Sequence, residues 1–250
     1  MASPWPPSSS QGPRRRLDAR WLTVVVIAVI ILVVLVRQHR IHITEAEVLF
    51  FVAIIPSIIL HEVTHGWVAL AFGDDTAKRA GRLSLNPVVH VSVFGTIIVP
   101  IVLVLLGLPP FGWAKPVPVN ISTLRHPRNE SVVVALSGPA MNVLIAVVAG
   151  LLFRAVLPTV SASATSLPVG EQFLLALGEV NVFLAVFNLI PIPPLDGSSV
   201  VERLLPREWL PGYLAIRPYT IFLPFLVLWL YPQWLDDLFQ PFLNLWAHLL

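Results

Sequence analysis

The chain has 250 residues, of which 56% are hydrophobic and 12% are charged, and its formal net charge is +2. A soluble domain carries about 25% charged residues, and a water-soluble fold of this length cannot hide so much apolar surface. The small net charge argues against a nucleic-acid-binding face, and the lack of cysteine excludes disulfides and thiolate metal ligands. The composition is that of an integral membrane protein in contact with a lipid bilayer.

The first 20 residues differ from the rest, because they are rich in proline and serine and cannot form an apolar core. They predict a disordered cytoplasmic tail, followed by one transmembrane domain over residues 21–250. The tail carries four arginines just before the first apolar run, Trp21–Val36, which favours a cytoplasmic N-terminus. A cleaved signal peptide is the alternative. Charged residues rather than a cleavage site follow the run, which favours an uncleaved helix.

Further apolar runs predict more membrane helices, since a span needs about 20 apolar residues. We predict an all-α polytopic membrane protein with five to six transmembrane helices. One run contains Gly95 and Pro100 and has basic residues on both sides, which favours a broken or re-entrant segment. The runs are Glu47–Phe72, Val91–Gly107, Val132–Leu157, Phe173–Ile190, Tyr219–Tyr231 and, lying flat or spanning, Leu238–Leu250.

His61, Glu62 and His65 form an HExxH pattern inside the second apolar run. Residues four apart lie on one face of a helix, so both histidines can bind one metal ion, with Glu62 close enough to act on a water molecule. Zinc accepts imidazole and carboxylate ligands, and a catalytic zinc keeps one position open. Ionisable side chains within a membrane helix are expensive and indicate a functional site. The alternatives are a polar cluster that joins helices and a proton relay in a transporter.

Two histidines leave zinc short of a protein ligand, and Asp196 is the best candidate. It follows the helix predicted at 173–190, where three prolines interrupt regular helix. The alternative is an N-cap for a short helix over Ser198–Leu205. Beside an HExxH without a third ligand, we favour the metal ligand. Asp74 and Asp75 are the next candidates, although their sequence context is typical of solvated loop residues.

A third motif, Ser-Gly-Pro-Ala-Met-Asn, occupies residues 137–142 inside another apolar run. Gly138 and Ala140 are small enough for close packing between helices. Asn142 is an amide in apolar surroundings and needs a hydrogen-bond partner. It predicts either a hydrogen bond between helices or a catalytic donor to the oxyanion that forms in peptide hydrolysis.

Three motifs, namely HExxH, Ser-Gly-Pro-Ala-Met-Asn and the segment Asn188–Gly197 that contains Asp196, together resemble those of the site-2 protease family of intramembrane zinc metalloproteases over most of the chain. The resemblance implies one zinc ion per chain with His61, His65 and Asp196 as its ligands. It also implies that Glu62 activates water and that Asn142 stabilises the transition state. Residues 21–250 are then the transmembrane metalloprotease domain.

Two intervening segments, 81–87 and 112–120, are similar to the compact bacterial branch of that family, without PDZ-like or CBS-like domains. Members of that branch often carry His-x-Asp after an Asn-Pro pair. This chain has His90 and Ser92 in those positions, so His90 is left out of the predicted core site.

Pro116 and Pro118 alternate with Val117 and Val119 in the segment between the HExxH and Ser-Gly-Pro-Ala-Met-Asn motifs. In a strand, one edge would lack donors at both prolines, while the valines could pair from the other edge. This pattern predicts a small membrane-associated β element. A transmembrane substrate must unwind locally to be cleaved, and such a strand could hold the unwound segment by strand addition. A surface loop is the alternative.

The predicted function is that of an intramembrane zinc endopeptidase, which cleaves transmembrane or membrane-proximal segments of membrane-protein substrates in regulated intramembrane proteolysis. A carrier of zinc or protons and an inactive protease-like scaffold are the alternatives, but neither requires Glu62 in its position. Basic loops at 74–82, 115–128 and 202–217, with the resemblance, predict a multi-pass protein of the bacterial inner membrane. Its site is then nearer the cytoplasmic face. The sequence indicates no substrate identity, regulator or oligomeric state.

Overall fold

The computed structural model describes residues 44–99, 102, 114–157, 167–206, 208–215 and 232–250. The predictions for the tail, the first apolar run and the run at 219–231 lie outside these residues. The chain divides into two compact units, residues 1–42 with 92–113 and residues 43–91 with 114–250. The described part of the first unit contains a π-helix, Val93–Ile98, whose Gly95 N–H donates to the Ser92 side chain.

The second unit is helical throughout its described residues, apart from turns and extended connections. Three of its helices, Glu45–Ala71, Pro127–Val156 and Val169–Leu189, contain stretches long and apolar enough to cross a membrane. The elements are α1 (Glu45–Ala71), α2 (Thr76–Arg79), α3 (Pro87–His90), a 3₁₀ turn (Ile121–Thr123), α4 (Pro127–Val156), α5 (Val169–Leu189), α6 (Ser198–Leu204), α7 (Leu210–Ala215) and α8 (Pro232–Ala247).

The described helices confirm three of the predicted membrane spans, while the total of five to six stays a prediction. The last predicted run lies in α8, which has 16 residues. A helix of this length reaches about 24 Å, which is short of a hydrocarbon core of about 30 Å. Within the described residues, α8 therefore does not have the length of a membrane span.

The ends of the long helices follow from local sequence. Helix α4 begins with Pro127, which suits the first turn because that position needs no N–H donor. The Glu130 carboxylate in the same turn accepts the His126 N–H at 2.8 Å. Helix α5 ends at Leu189, directly before the proline-rich segment. These boundaries confirm the predicted helices to within a few residues.

Contacts along the long helices fix their directions. His65 contacts Val134 near the start of α4, and His61, one turn earlier in α1, contacts Asn142 further along α4. Ser57 of α1 contacts Asn181 of α5, and the later His61 contacts Asp196, which follows the end of α5. Helix α4 therefore runs antiparallel to α1, while α5 runs parallel to it. The end of α1, the start of α4 and the end of α5 lie on one side of the bundle. That side carries most of the described basic residues, namely Lys78, Arg79, Arg82, Lys115, Arg125, Arg128 and Arg203.

On that side, residues 114–120 lie along α1. A Cβ at Gly66 would stand 3.0 Å from the Val117 side chain, so glycine permits this close approach. The Val117 N–H donates to Glu62 Oε2 at 2.8 Å, and the Asn120 N–H donates to Asp74 Oδ2 at 2.7 Å. The described residues contain no strand, so the predicted β element is not confirmed. Its Val117 and Asn120 N–H groups are bound by the side chains of Glu62 and Asp74, and its Lys115 N–H donates to the His90 carbonyl at 2.7 Å.

At the opposite end of the bundle, α8 packs against α4 and α5 through Trp246. The indole N–H donates to the Ala146 carbonyl at 2.7 Å. The ring lies beside Gly178, where a Cβ would overlap it. This end of the bundle is held by an aromatic ring that fills the space left by a glycine.

Candidate metal centre

Three side chains from distant parts of the chain converge at one point. His61 and His65 lie one turn apart on α1, and Asp196 lies in the loop after α5. The Nε2 atoms of the two histidines are 3.1 Å apart, and Asp196 Oδ2 is 3.1 Å from His61 Nε2 and 3.4 Å from His65 Nε2. Among the described residues, this is a group of metal-ligating atoms that all lie within 4.8 Å of one another. The structure thus brings together all three predicted ligands.

The other ring nitrogens show which atoms remain for a metal. His65 Nδ1 lies 2.7 Å from the Val134 carbonyl oxygen, and His61 Nδ1 lies 2.5 Å from Asn142 Oδ1. An oxygen acceptor at Nδ1 favours a proton there, which leaves a lone pair on each Nε2.

The three converging atoms are therefore acceptors that face one another. Asp196 Oδ2 is buried without a hydrogen-bond donor in the described structure. Three acceptor atoms with no donor between them need a cation, and two imidazole nitrogens with one carboxylate oxygen suit zinc.

The loop after α5 places Asp196 in the cluster. The Gly197 N–H donates to the Asn188 carbonyl at 2.7 Å, which folds the loop back onto the end of the helix. A side chain at position 197 would collide with the backbone of Leu189 and Ile190, so this return requires glycine. Helix α6 begins at Ser198 with no side-chain cap. The N-cap alternative for Asp196 is therefore wrong.

Gly138 of α4 leaves room for the histidines. A Cβ at this position would overlap the His65 ring and lie 2.7 Å from His61 Cε1. The expectation that Gly138 serves close packing is correct, and its neighbours are the two candidate ligands. Ala140, which we grouped with it, is exposed and does not contribute to the buried contact.

Glu62 points toward the segment 114–120 rather than into the bundle. It is partly buried, and its Oε2 accepts the Val117 N–H at 2.8 Å. The carboxylate is thus oriented by a backbone amide next to the two histidines along α1. This position is compatible with the role of a base that is not a metal ligand.

Asn142 is completely buried. Its Oδ1 faces His61, and its Nδ2 donates to Asn181 Oδ1 at 2.7 Å. The predicted hydrogen bond between helices is present, and it joins a candidate metal ligand to α5. The sequence reasoning missed Asn181, although an asparagine in an apolar helix is the same signal that identified Asn142.

The prediction for His90 agrees with the structure, whereas the prediction for Asp74 does not. His90 is buried outside the cluster, and its Nε2 lies 2.7 Å from the Ser84 carbonyl oxygen, in agreement with its omission from the core site.

Asp74 is fully buried, so its assignment to a solvated loop is wrong. Burial would raise the pKa of Asp74, but hydrogen bonds from Thr76 and Asn120 lower it below its usual value. Its role is to join the end of α1 to the segment 114–120.

Comparison with known proteins agrees with this site. Residues 49–228, which include all three predicted ligands and Glu62, match the model of peptidase family M50. The chain is 37% identical over 185 residues to "Putative zinc metalloprotease YwhC" of Bacillus subtilis, a match that covers 72% of this chain and 80% of the relative. It is 33% identical over 152 residues to "Putative zinc metalloprotease Rip2" of Mycolicibacterium smegmatis, covering 61% of this chain and 55% of the relative. No solved structure is significantly similar to the chain.

Proposed function

Because the chain belongs to peptidase family M50, the site-2 protease family, and is a zinc metallopeptidase with helices suited to a membrane, we propose that it cleaves membrane-protein substrates within or beside the bilayer. The observation that carries this proposal is the position of the zinc ligands. His61, His65 and Asp196 converge among three apolar helices rather than on an open polar surface. A peptide bond that reaches them must come close to the membrane.

The chemistry divides between the metal and Glu62. Zinc held by His61, His65 and Asp196 would supply Lewis acidity, which would polarise the scissile carbonyl and make a water molecule more acidic. Glu62 accepts a proton from the attacking water and returns it to the leaving amine, so that one water is consumed and a carboxylic acid and an amine are released. Before substrate binds, the Val117 N–H holds the base in place at 2.8 Å from Glu62 Oε2.

We expect the substrate to bind as an unwound segment along residues 114–120. Val117 directs its N–H toward Glu62, so the edge of this segment that can pair with a peptide lies beside the base. An extended peptide added to that edge would exchange the Val117 hydrogen bond for one of its own. Glu62 would then be released for water when the substrate arrives.

Two other functions use the same cluster. A carrier of zinc or protons would need the histidines and Asp196, and an inactive scaffold would need none of the chemistry. Neither explains a carboxylate held next to the ligands by a backbone N–H. Glu62 therefore favours hydrolysis.

We further propose that the protein lies in the bacterial inner membrane with its site nearer the cytoplasm. His65 and His61 precede Ala71, the last residue of α1, by six and ten residues. At 1.5 Å per residue, they lie about 9–15 Å from that end of the helix. The basic residues on the same side of the bundle support a cytoplasmic orientation.

Cleavage of a labelled transmembrane segment in reconstituted vesicles tests the proposed reaction. Glu62→Gln should lower the rate by about 10²–10⁴, the usual contribution of a general base, and should retain zinc. Glu179→Gln is the matched control, since it removes another carboxylate from a membrane helix outside the metal cluster. Equal cleavage by wild type and Glu62→Gln would contradict the mechanism. Cleavage of the same segment only in a soluble fusion would contradict the membrane substrate.

A single cysteine tests the orientation. Ala71 is exposed at the end of α1, and the chain has no native cysteine. Ala71→Cys should react with a membrane-impermeant thiol reagent when the cytoplasmic face is accessible. Labelling from the outer face of intact cells would reverse the proposed topology.

A further inference from the structure

A row of buried polar side chains leads from His61 across the helix bundle. Asn142 Oδ1 lies 2.5 Å from His61 Nδ1, and Asn142 Nδ2 lies 2.7 Å from Asn181 Oδ1. Asn181 Nδ2 lies 2.7 Å from Ser57 Oγ, and Ser57 Oγ donates to the Ala53 carbonyl at 2.7 Å. Ser57, Asn142 and Asn181 are each at most 1% exposed. One continuous row of hydrogen bonds therefore links α4 and α5 to both ends of a turn of α1.

The direction of every hydrogen bond in this row is determined at its far end. The carbonyls of Ala53 and Leu177 can only accept, and Asn181 Nδ2 lies 2.8 Å from the Leu177 carbonyl. The amide of Asn181 must therefore present its NH₂ group there and its oxygen to Asn142.

The same reasoning continues to the metal ligand. Because Asn181 presents an oxygen, Asn142 must present its NH₂ group to it and its own oxygen to His61. A ring nitrogen that faces this oxygen must be the donor, so the proton of His61 lies on Nδ1. The lone pair is then on Nε2, which faces His65 and Asp196.

His65 reaches the same state by a shorter route. Its Nδ1 lies 2.7 Å from the carbonyl of Val134, which accepts and cannot rotate. His61 instead depends on a side-chain amide, which can be satisfied in either orientation unless its other neighbours fix it. The added residues of the row supply that constraint.

We propose that Asn142 and Asn181 are positioning residues, which hold His61 in the Nδ1–H tautomer with Nε2 available to zinc. Asn181 acts on His61 through Asn142. Ser57 Oγ and the Leu177 carbonyl both accept hydrogen bonds from Asn181 Nδ2, so the loss of Ser57 alone would leave one acceptor in place. Groups that bind the second nitrogen of a metal-bound histidine typically change metal affinity or activity by about 10–100-fold. The inference depends on the zinc role of His61 but not on the proposed membrane substrate, so zinc affinity tests it independently of cleavage.

The first test compares Asn181→Leu with Trp246→Phe. Both remove a buried hydrogen bond between helices, but the Trp246 bond, at 2.7 Å to Ala146, does not connect to His61. Zinc affinity is measured on purified protein in detergent by competition with a chromogenic chelator, and thermal unfolding is measured without metal. Asn181→Leu should weaken zinc binding by about 10-fold or more, whereas Trp246→Phe should lower thermal stability alone. Wild-type zinc affinity in Asn181→Leu would overturn the proposal, because the row would then serve only to join helices.

The second test uses two substitutions of Asn142. A protonated Asp in this position still offers a carbonyl oxygen to His61 Nδ1 and an O–H to Asn181 Oδ1, whereas Leu offers neither. Asn142→Leu should lose about 10–100-fold in zinc affinity, and Asn142→Asp should retain most of it. Nitrogen NMR of ¹⁵N-histidine-labelled, metal-free protein should show the Nδ1–H form of His61 in wild type and a mixture in Asn142→Leu, with His61→Ala identifying the signal. Zinc affinity that is unchanged in Asn142→Leu, with turnover lower by about 10²–10³, would overturn the proposal in favour of an oxyanion donor.

Discussion

Gly138 and Gly178 are both buried glycines in helices that are long and apolar enough to span a membrane, but they face different surroundings. Gly138 lies against the imidazoles of His61 and His65, and Gly178 lies against the indole of Trp246. The first belongs to the half of the bundle that holds the candidate metal ligands, and the second belongs to the half that packs against α8. A glycine in this bundle therefore makes room either for the candidate ligands or for a packing residue. The sequence around the glycine does not show which of the two it does.

The two halves also differ in how their contacts are made. Around His61, buried polar groups are joined by hydrogen bonds from Ser57 to Asn142. Around Trp246, one indole hydrogen bond accompanies a contact that is otherwise apolar. Polar contacts set the direction of donors and acceptors, while apolar contacts set shape. We expect substitutions in the first half to change metal binding and those in the second half to change stability.

Among these substitutions, Gly138→Ala should have the largest effect on zinc affinity. Unchanged zinc affinity would contradict the proposed difference between the two halves of the bundle. The added methyl group would overlap the His65 ring and crowd His61, so the two nitrogens could not converge. We expect zinc affinity to fall by at least about 100-fold, the upper range for disturbed support of a ligand, and cleavage to fall with it. Metal analysis of the purified variant measures the loss.

Gly178→Ala is the matched substitution in the other half. Its methyl group would overlap the Trp246 indole, and overpacking of a core typically costs about 1–3 kcal/mol. Thermal unfolding in detergent should show this loss, while the zinc content stays at the wild-type value. If Gly178→Ala lost zinc as Gly138→Ala does, the two halves of the bundle would not be separable.

Asp74 and Asp75 are adjacent aspartates that differ in burial, so they compare a buried with an exposed carboxylate. The Asp74 carboxylate is buried and accepts hydrogen bonds from Thr76 and Asn120. Asp74→Asn should lower the free energy of unfolding by about 1–3 kcal/mol at neutral pH, since the Thr76 and Asn120 N–H groups lose a buried, charged acceptor. Thermal unfolding as a function of pH measures it.

The pH dependence of that difference has a definite sign. Because the pKa of Asp74 is lowered in the folded chain, its stabilisation is complete above the unfolded value of about 3.9. It is lost as the pH falls through the lower folded value. Wild type and Asp74→Asn should therefore converge in stability at acidic pH, and a difference that grew with acidification would contradict the assignment.

Asp75→Asn should have the smallest effect. Asp75 forms an ion pair with Arg79 at 2.7 Å, but both side chains are more than half exposed. Exposed pairs contribute about 0–1 kcal/mol, so its thermal unfolding should nearly match wild type. An effect as large as that of Asp74→Asn would show that burial is not what separates these neighbours.

The sequence predicted the metal centre better than the contacts that support it. HExxH spacing on a helix placed His61 and His65 on one face, and the missing ligand pointed to Asp196. The sequence did not predict that Asn181 would face Asn142, because an amide in an apolar helix reveals its need for a partner but not which partner it finds. Asp74 was misassigned because a short loop after a helix usually lies in solvent. The β element was predicted from alternation alone, without evidence for a partner strand.

Zinc content of the purified protein and of its ligand variants tests the central claim most directly. Wild type and Glu62→Gln should each hold about one zinc per chain, because the base is not a ligand. His61→Ala, His65→Ala and Asp196→Ala should each lose the zinc, because each substitution removes one metal-ligating atom from the cluster. Full retention of zinc in Asp196→Ala would contradict the account, since the third ligand would then have to come from elsewhere in the chain.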